Sequence, residues 1–206
     1  YEANFSLSKK VGARAAITGR VQQLRRFHLD ETYLEAEFDH GWTGGEWAVS
    51  VGGSIDPIFR AERAVKASLL LVPKRKSPWR LVGDVNFSHY RAGDVTTLRL
   101  GADRYFDGER HMIGVRWIET WDPDGRTLSG YEIAGKRTFT DRLDMGASFV
   151  DAAESDAGIV VRTKAFSLSG GYRLSESLSL QPFISREERE NSYDRTEIGL
   201  GVTARF

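Results

Sequence analysis

The last ten residues of the chain, EIGLGVTARF (197–206), alternate strictly between two kinds of side chain. One set is apolar and consists of Ile198, Leu200, Val202, Ala204 and Phe206. The other set is polar or lacks a side chain and consists of Glu197, Gly199, Gly201, Thr203 and Arg205. Because successive side chains of a β-strand point to opposite faces, this pattern predicts a strand with one hydrocarbon face and one polar face.

The same alternation recurs along the chain, and no stretch shows the spacing typical of an amphipathic helix. It is clear in WRLVGDVNFSHY (79–90), VTTLRLGADRYF (95–106) and LDMGASFV (143–150). Turn-forming segments separate these stretches and divide the chain into about 13 strands. We therefore expect an all-β protein in which residues 1–206 form a single domain. Pro182 falls inside a strand, where we expect a bulge, a kink or an early strand end.

Composition excludes several classes of protein. The chain has 206 residues with 29 Lys and Arg against 29 Asp and Glu, so it lacks the basic surface of a nucleic-acid binder. It has no cysteine, which excludes disulfides, a thiolate nucleophile and Cys-ligated metals. No apolar run approaches the roughly 18 residues of a membrane-spanning helix. We expect no metal, no cofactor and no catalytic residue.

Alternating strands fit either a soluble β-fold or a membrane barrel, and the two differ in which face points inward. Strand segments of about 10 to 14 residues favour the barrel, because a membrane strand needs about 9–11 residues. Aromatic residues near strand ends, such as Trp42, Trp79 and Phe139, suit the two membrane interfaces. Phe206 closes the final strand as in outer-membrane barrels, where such a residue serves as the membrane-assembly signal. We expect an antiparallel up-and-down transmembrane β-barrel of about 12–14 strands in the bacterial outer membrane.

Thirteen strands is an odd number, whereas bacterial barrels have even counts. Either a strand precedes Tyr1 or one segment is not a strand. With the C-terminal end in the periplasm, the loops near 54–62, 121–126 and 153–159 face outside. EERE (187–190) is predicted to be a solvated loop end.

Parity along the strands predicts which residues line the barrel interior. The charged and polar candidates are Arg20, Gln22, Glu35, Glu37, Asp39, Lys66, Arg80, Asp84, Arg99, Asp103, Arg116, Glu132, Lys136, Asp144, Glu197 and Arg205. The aromatic candidates are Tyr33, Tyr90, Tyr105 and Phe183. The charges form either a path for a polar, weakly charged substrate or a salt-bridged network that fills the interior. The aromatic side chains either form a path along which the sugar rings of a polysaccharide stack, or they fill space in the interior and anchor its rim.

Four segments resemble the YaiO-type outer-membrane β-barrel family: RRFHLDETYLEAEFDHG (25–41), SHYRAGDVTTLRLGADRYF (88–106), SGYEIAGKRTFTDRLDMGASF (129–149) and DRTEIGLGVTARF (194–206). The resemblance implies a further strand before YEANFSLSKK (1–10), which would bring the count to 14. It also implies a role in exopolysaccharide synthesis or export, and it supplies no catalytic residues.

Three functions follow as expectations. The first is a pore or secretion component for exopolysaccharide, with outer-membrane lipid, the barrel assembly machinery, polysaccharide and periplasmic synthesis or export proteins as partners. The second is a plugged structural or assembly barrel that acts through its loops or periplasmic partners. The third is an outer-membrane lipid hydrolase. Ser88 and His89 are adjacent in a strand and so point to opposite faces, which argues against a catalytic dyad within that strand.

Overall fold

The computed structural model describes residues 2–26, 28–74, 77–156, 159–190 and 194–204. These residues form thirteen strands, as the turn signals predict. The strands are β1 (Glu2–Lys10), β2 (Ala15–Arg26), β3 (Leu29–Trp42), β4 (Gly45–Ser54), β5 (Arg63–Leu71), β6 (Trp79–Tyr90), β7 (Gly93–Phe106), β8 (His111–Trp121), β9 (Thr127–Thr140), β10 (Leu143–Asp156), β11 (Ile159–Arg173), β12 (Leu178–Arg189) and β13 (Asp194–Ala204). The described residues include no helix that is both long and apolar enough to cross a membrane.

Each strand pairs antiparallel with the strand that follows it in sequence, so one sheet has the spatial order β1 to β13. The predicted all-β, up-and-down architecture is confirmed. End A of the sheet carries the links 55–62, 91–92 and 122–126, and end B carries 11–14, 43–44, 72–74, 77–78, 107–110, 141–142 and 174–177. Strands β1 and β13 are the two edges of the sheet and share no ladder among the described residues.

The sheet curls so that its two edges border one cavity. Residues of β1 and β2 lie on one side of this space and residues of β12 and β13 lie on the other. With an odd number of antiparallel strands, β1 and β13 run in the same direction. Their backbone groups therefore cannot complete the antiparallel pattern by pairing directly with each other.

The two faces of the curled sheet are unlike, and the apolar face is the outer one. Outward residues such as Val85, Leu100 and Ile133 are 39%, 51% and 48% exposed. Inward polar residues are covered instead, as Ser50, Ser88 and Asp103 show with 4–5% exposure. This distribution is the reverse of a soluble β-sandwich, in which the apolar face forms the core.

Aromatic side chains border the outer apolar face at end B. Trp42, Trp47, Trp79, Phe106 and Phe139 occupy outward positions close to the turns, and each is 37–46% exposed. Trp42 and Trp47 lie on the adjacent strands β3 and β4, and Trp79 and Phe106 lie on the adjacent strands β6 and β7. The ring centre of Trp47 is 5.5 Å from that of Phe38 on β3. The arrangement is a girdle of the kind found at a membrane–water interface.

The structure corrects two expectations about β12. The strand runs through Pro182 without a register shift, and only its pairing with Gly170 and Gly171 is interrupted, because proline has no N–H to donate. EERE is not a loop, since β12 continues to Arg189 and places Glu187 on the inner face. Arg205 and Phe206 lie outside the described residues.

Candidate functional site

The strand register places the sequence-predicted interior residues on one face, because directly opposed residues of antiparallel strands share a face. Arg20 is opposite Glu35, which is opposite Gly52, and the next pairs along the sheet continue this row. Every charged, polar and aromatic candidate among the described residues lies on this inner face. Those residues are Arg20, Gln22, Tyr33, Glu35, Glu37, Asp39, Lys66, Arg80, Asp84, Tyr90, Arg99, Asp103, Tyr105, Arg116, Glu132, Lys136, Asp144, Phe183 and Glu197.

Glu35 is the centre of an ion-pair cluster on β2, β3 and β5. Its Oε1 accepts from Arg20 Nη1 at 2.5 Å and its Oε2 accepts from Lys66 Nζ at 3.1 Å. Its side chain is 3% exposed, whereas those of Arg20 and Lys66 are 34% and 50% exposed. Arg20 also donates to Glu37 at 3.1 Å. The buried carboxylate therefore has two cationic partners that remain partly hydrated.

Further ion pairs line the inner face in the next strands. Arg116 Nη1 lies 2.7 Å from Asp103 Oδ1, and Lys136 Nζ lies 3.1 Å from Asp144 Oδ1. Both are pairs of opposite charge on adjacent strands, as sequence parity suggests. Asp84 and Arg99 face each other in the register of β6 and β7.

A third group of charges lies on β12 and β13, and of its four members the sequence pattern singled out only Glu197. Arg195 Nη2 lies 3.0 Å from Glu187 and 3.2 Å from Glu197, and Arg189 lies 3.6 Å from Glu187. The strand alternation could have identified Glu187 and Arg189 as interior residues, because both have the same parity as Phe183. The assignment of 187–190 to a loop hid it.

Glycines on the inner face leave room for large side chains to lie flat against the wall. A Cβ at Gly199 would collide with the ring of Phe183, and one at Gly52 would collide with the hydroxyl of Tyr33. Gly101 is likewise covered by Arg116. Gly52 and Gly199 each keep a ring close to the sheet, and Gly101 does so for the aliphatic stem of Arg116, so that the interior retains open volume.

The link 55–62, here called the mouth loop, folds over the inner face at end A. The carboxylate of Glu31 accepts hydrogen bonds from the backbone N–H groups of Ile58, Phe59 and Arg60 at 2.9–3.2 Å. Glu31 is 1% exposed. Arg60 then donates to Gln22 at 2.5 Å. Sequence reasoning missed Glu31, although it lies two positions before Tyr33 on the same face.

The aromatic candidates occupy different environments. Tyr33 packs with Ala61 and Ala64 beneath the mouth loop, with Tyr90 against the same cluster. Tyr105 lies under the guanidinium of Arg80, whose carbon is 4.2 Å from the ring centre. Phe183 borders the large cavity. Tyr33 and Tyr90 therefore share one cluster at end A, whereas Tyr105 and Phe183 lie apart from it in other surroundings.

A large space on the inner side has a volume of about 1180 Å³. Its lining includes Lys136, Asp144, Ser169, Gln181 and Glu197 together with glycines of β11 and β13. A smaller space of about 260 Å³ lies among Glu37, Lys66 and Asp84. Both volumes are bordered by charges of both signs, which suits a polar solute that carries little net charge.

The adjacent residues Ser88 and His89 could suggest a catalytic site, but they lie on opposite faces of β6. Ser88 faces inward and accepts from Asn86 Nδ2 at 3.1 Å, while His89 faces outward with its Nδ1 2.6 Å from Asp94. This pair is not a nucleophile–base dyad. Over the part of the chain that the structure describes, no group of three His, Asp or Glu side chains could hold a metal ion.

Asp122, in the turn WDPDG, closes the 122–126 link at end A. Its carboxylate accepts from the Arg126 backbone at 2.8 Å and from Arg126 Nε at 2.7 Å. Partial desolvation raises the pKa of Asp122, but these hydrogen bonds and the guanidinium charge outweigh it and hold the pKa below its usual value. The turn is stabilised by this ion pair.

The sheet topology and its two unlike faces give the chain a porin-like β-barrel fold. Among solved structures, the NanC porin in its rhombohedral crystal form matches 100% of this chain and 99% of its own, with a TM-score of 0.56 and 11% sequence identity. This likeness concerns the fold. No family model matches the chain. No curated protein sequence matches it.

Proposed function

We propose that the chain is a bacterial outer-membrane β-barrel that provides a polar pore. The observation that carries this proposal is the distribution of the two faces: a continuous exposed apolar exterior surrounds a paired, charged interior with about 1180 Å³ of open space. In water such an exterior would drive aggregation, whereas in a bilayer it is solvated by lipid.

The height of the apolar exterior fits this placement. On β6 the outward residues run from Trp79 to Phe87, over eight residue steps. At about 3.4 Å per residue and a tilt of about 40°, this stretch is about 20 Å tall, close to the apolar band of about 25 Å of outer-membrane barrels. The aromatic girdle at end B then lies at one membrane interface.

The substrate class that we infer is a neutral or weakly charged glycan, such as an exopolysaccharide chain. Charges of both signs are paired along the wall, so the interior does not favour strongly a cation or an anion. Serine, glutamine and glycine residues of β11–β13 offer hydrogen-bonding and backbone groups to a polyhydroxylated solute. The resemblance to the YaiO-type family motivates the polymer itself.

A second function, a plugged structural barrel, is favoured by one observation. The mouth loop is tied to Glu31 and Gln22 and so covers part of the opening at end A. In this alternative the loops or periplasmic partners carry the function, and the interior ion pairs serve to stiffen the wall.

Single-channel recording in planar bilayers distinguishes the two functions. The refolded chain is expected to give a steady conductance that neutral malto-oligosaccharides block in a concentration-dependent way. Heat-modifiable migration in gel electrophoresis first establishes that the chain is folded. A folded chain that inserts but passes no current would refute the pore and leave the plugged barrel. A current that oligosaccharides do not affect would refute the glycan.

A further inference from the structure

A groove on the outer face near end B has properties that the pore does not require. It has a volume of about 670 Å³ and crosses strands β7 to β11. Its walls include Phe106, Ile113, Phe139, Met145 and Leu168, which are 37–56% exposed. An apolar exterior needs no concavity to be solvated by disordered lipid, so the shape of this groove calls for an explanation of its own.

Two small residues in one row of the sheet produce the concavity. The outward row across four strands reads Ile113, Gly135, Ala147 and Leu168 through the registers of β8 to β11. Large side chains at both ends of the row flank the small ones in the middle. The resulting depression has the width of about two strands, or about 10 Å, which accommodates an acyl chain.

Cationic side chains lie at the end-B margin of the groove. Arg137 lines the groove. The imidazole of His111, which is directly opposed to Arg137, also lines it and lies 3.9 Å from Asp107. Arg104 is opposed to Ile113. The guanidinium of Arg137 lies 4.8 Å from the ring centre of Phe139, and that of Arg104 lies 4.9 Å from that of Phe106. Both groups thus extend toward the girdle, at headgroup depth.

The outward arginines near the two ends of the sheet differ in their partners. At end A, Arg162 lies 2.6 Å from Asp151 and Arg186 lies 3.3 Å from Asp194. Within the described ranges, no carboxylate lies within 4.0 Å of Arg104 or Arg137. These two guanidiniums therefore keep their N–H donors available for an anion that the chain itself does not provide.

We propose that this groove binds one anionic glycerophospholipid of the surrounding membrane. One acyl chain lies over Gly135 and Ala147, and the phosphate contacts Arg137, with Arg104 as a second cation. The apolar lining selects a lipid over a free phosphate, and the charge complementarity selects an anionic headgroup over a zwitterionic one. This inference rests on the membrane placement proposed above, and it does not depend on whether the pore is open.

Native mass spectrometry of the full chain in detergent micelles tests the site. Palmitoyl-oleoyl phosphatidylglycerol and phosphatidylcholine, which share acyl chains, are added separately. We expect retention of one phosphatidylglycerol, about tenfold better than phosphatidylcholine. Arg137→Gln should remove this preference, whereas Gly135→Leu, which fills the groove, should lower the retention of both lipids. Arg162→Gln is the matched control, an outward arginine at end A, and should leave binding unchanged.

Three results would overturn the site: equal retention of the two lipids, an unchanged preference in Arg137→Gln, or competition by millimolar inorganic phosphate alone. Heat-modifiability and bilayer insertion are measured on the same variants. A wild-type chain that does not insert refutes the membrane placement itself. A chain that inserts normally but shows no lipid preference refutes only the groove.

Discussion

Replacing Glu35 by glutamine should destabilise the barrel and change its ion selectivity, and replacing Glu37 should change only the selectivity. The two acids lie on the same face of β3, two positions apart. Glu35 is 3% exposed and has two cationic partners, whereas Glu37 is 24% exposed and has one, Arg20, at 3.1 Å. Glu37→Gln is therefore a control with the same change in charge.

The expected magnitude follows from these contacts. A hydrogen bond to a charged group contributes about 1.5–3 kcal/mol, and Glu35→Gln weakens two of them. Arg20 and Lys66 are partly exposed, so water replaces part of the lost interaction. We expect a loss of about 2 kcal/mol in the free energy of unfolding for Glu35→Gln and less than about 1 kcal/mol for Glu37→Gln.

Two measurements check these values. Urea unfolding of the refolded variants in vesicles, followed by the fluorescence of the five tryptophans, gives the free energies. The reversal potential in a salt gradient gives the selectivity, and both variants should shift it toward anions because each leaves one more positive charge in the interior. Equal destabilisation by the two variants, or a shift toward cations in either, would contradict the reasoning.

Three other changes probe separate parts of the interior. Gly199→Val should push the ring of Phe183 away from the wall and lower the single-channel conductance, with unchanged current as the contrary result. Glu31→Ala removes the acceptor of three backbone N–H groups, so the mouth loop should become the first site cut in limited proteolysis, and wild-type resistance would argue against its anchoring role. Because the pKa of Asp122 is lowered on folding, its contribution is present above its unfolded pKa of about 3.9 and is lost as the pH falls through the lower folded value. The protection factors of the amides in that turn should therefore fall only in that acidic range, and a fall near pH 7 would be inconsistent with this account.

Strand parity was the most informative part of the sequence. The alternation in segments such as 79–90 depends on a local property, the two-residue period of a strand, and so it predicts which side chains share a face without any knowledge of the fold. It assigned Arg116 and Asp103 to one face, and the structure places them 2.7 Å apart. Which face points inward required secondary features, namely strand length and the position of the aromatic residues.

The contacts that parity could not predict depend on the path of a loop or on the absence of a side chain. Glu31 accepts from amides 27–29 residues further along the chain, and nothing in the local pattern specifies how the mouth loop returns to it. The close approach of the Phe183 ring to Gly199 was not predictable either. A glycine in the sequence shows that a side chain is missing, but not which neighbour occupies the space. The length of β12 was underestimated because four consecutive charged residues resemble a solvated turn.

The pairing of every strand with its immediate sequence neighbour bears on the order of folding. The twelve ladders among the described strands all connect sequence neighbours, so each can form within a single hairpin before the sheet curls. Loop closure therefore imposes little entropy cost on any of them. The pairs Arg116–Asp103 and Lys136–Asp144 also lie within such hairpins. On the membrane placement proposed above, these two hairpins would enter the bilayer with these charges already paired, whereas the pair Lys66–Glu35 joins β5 to β3 and forms only after β4 is also in place.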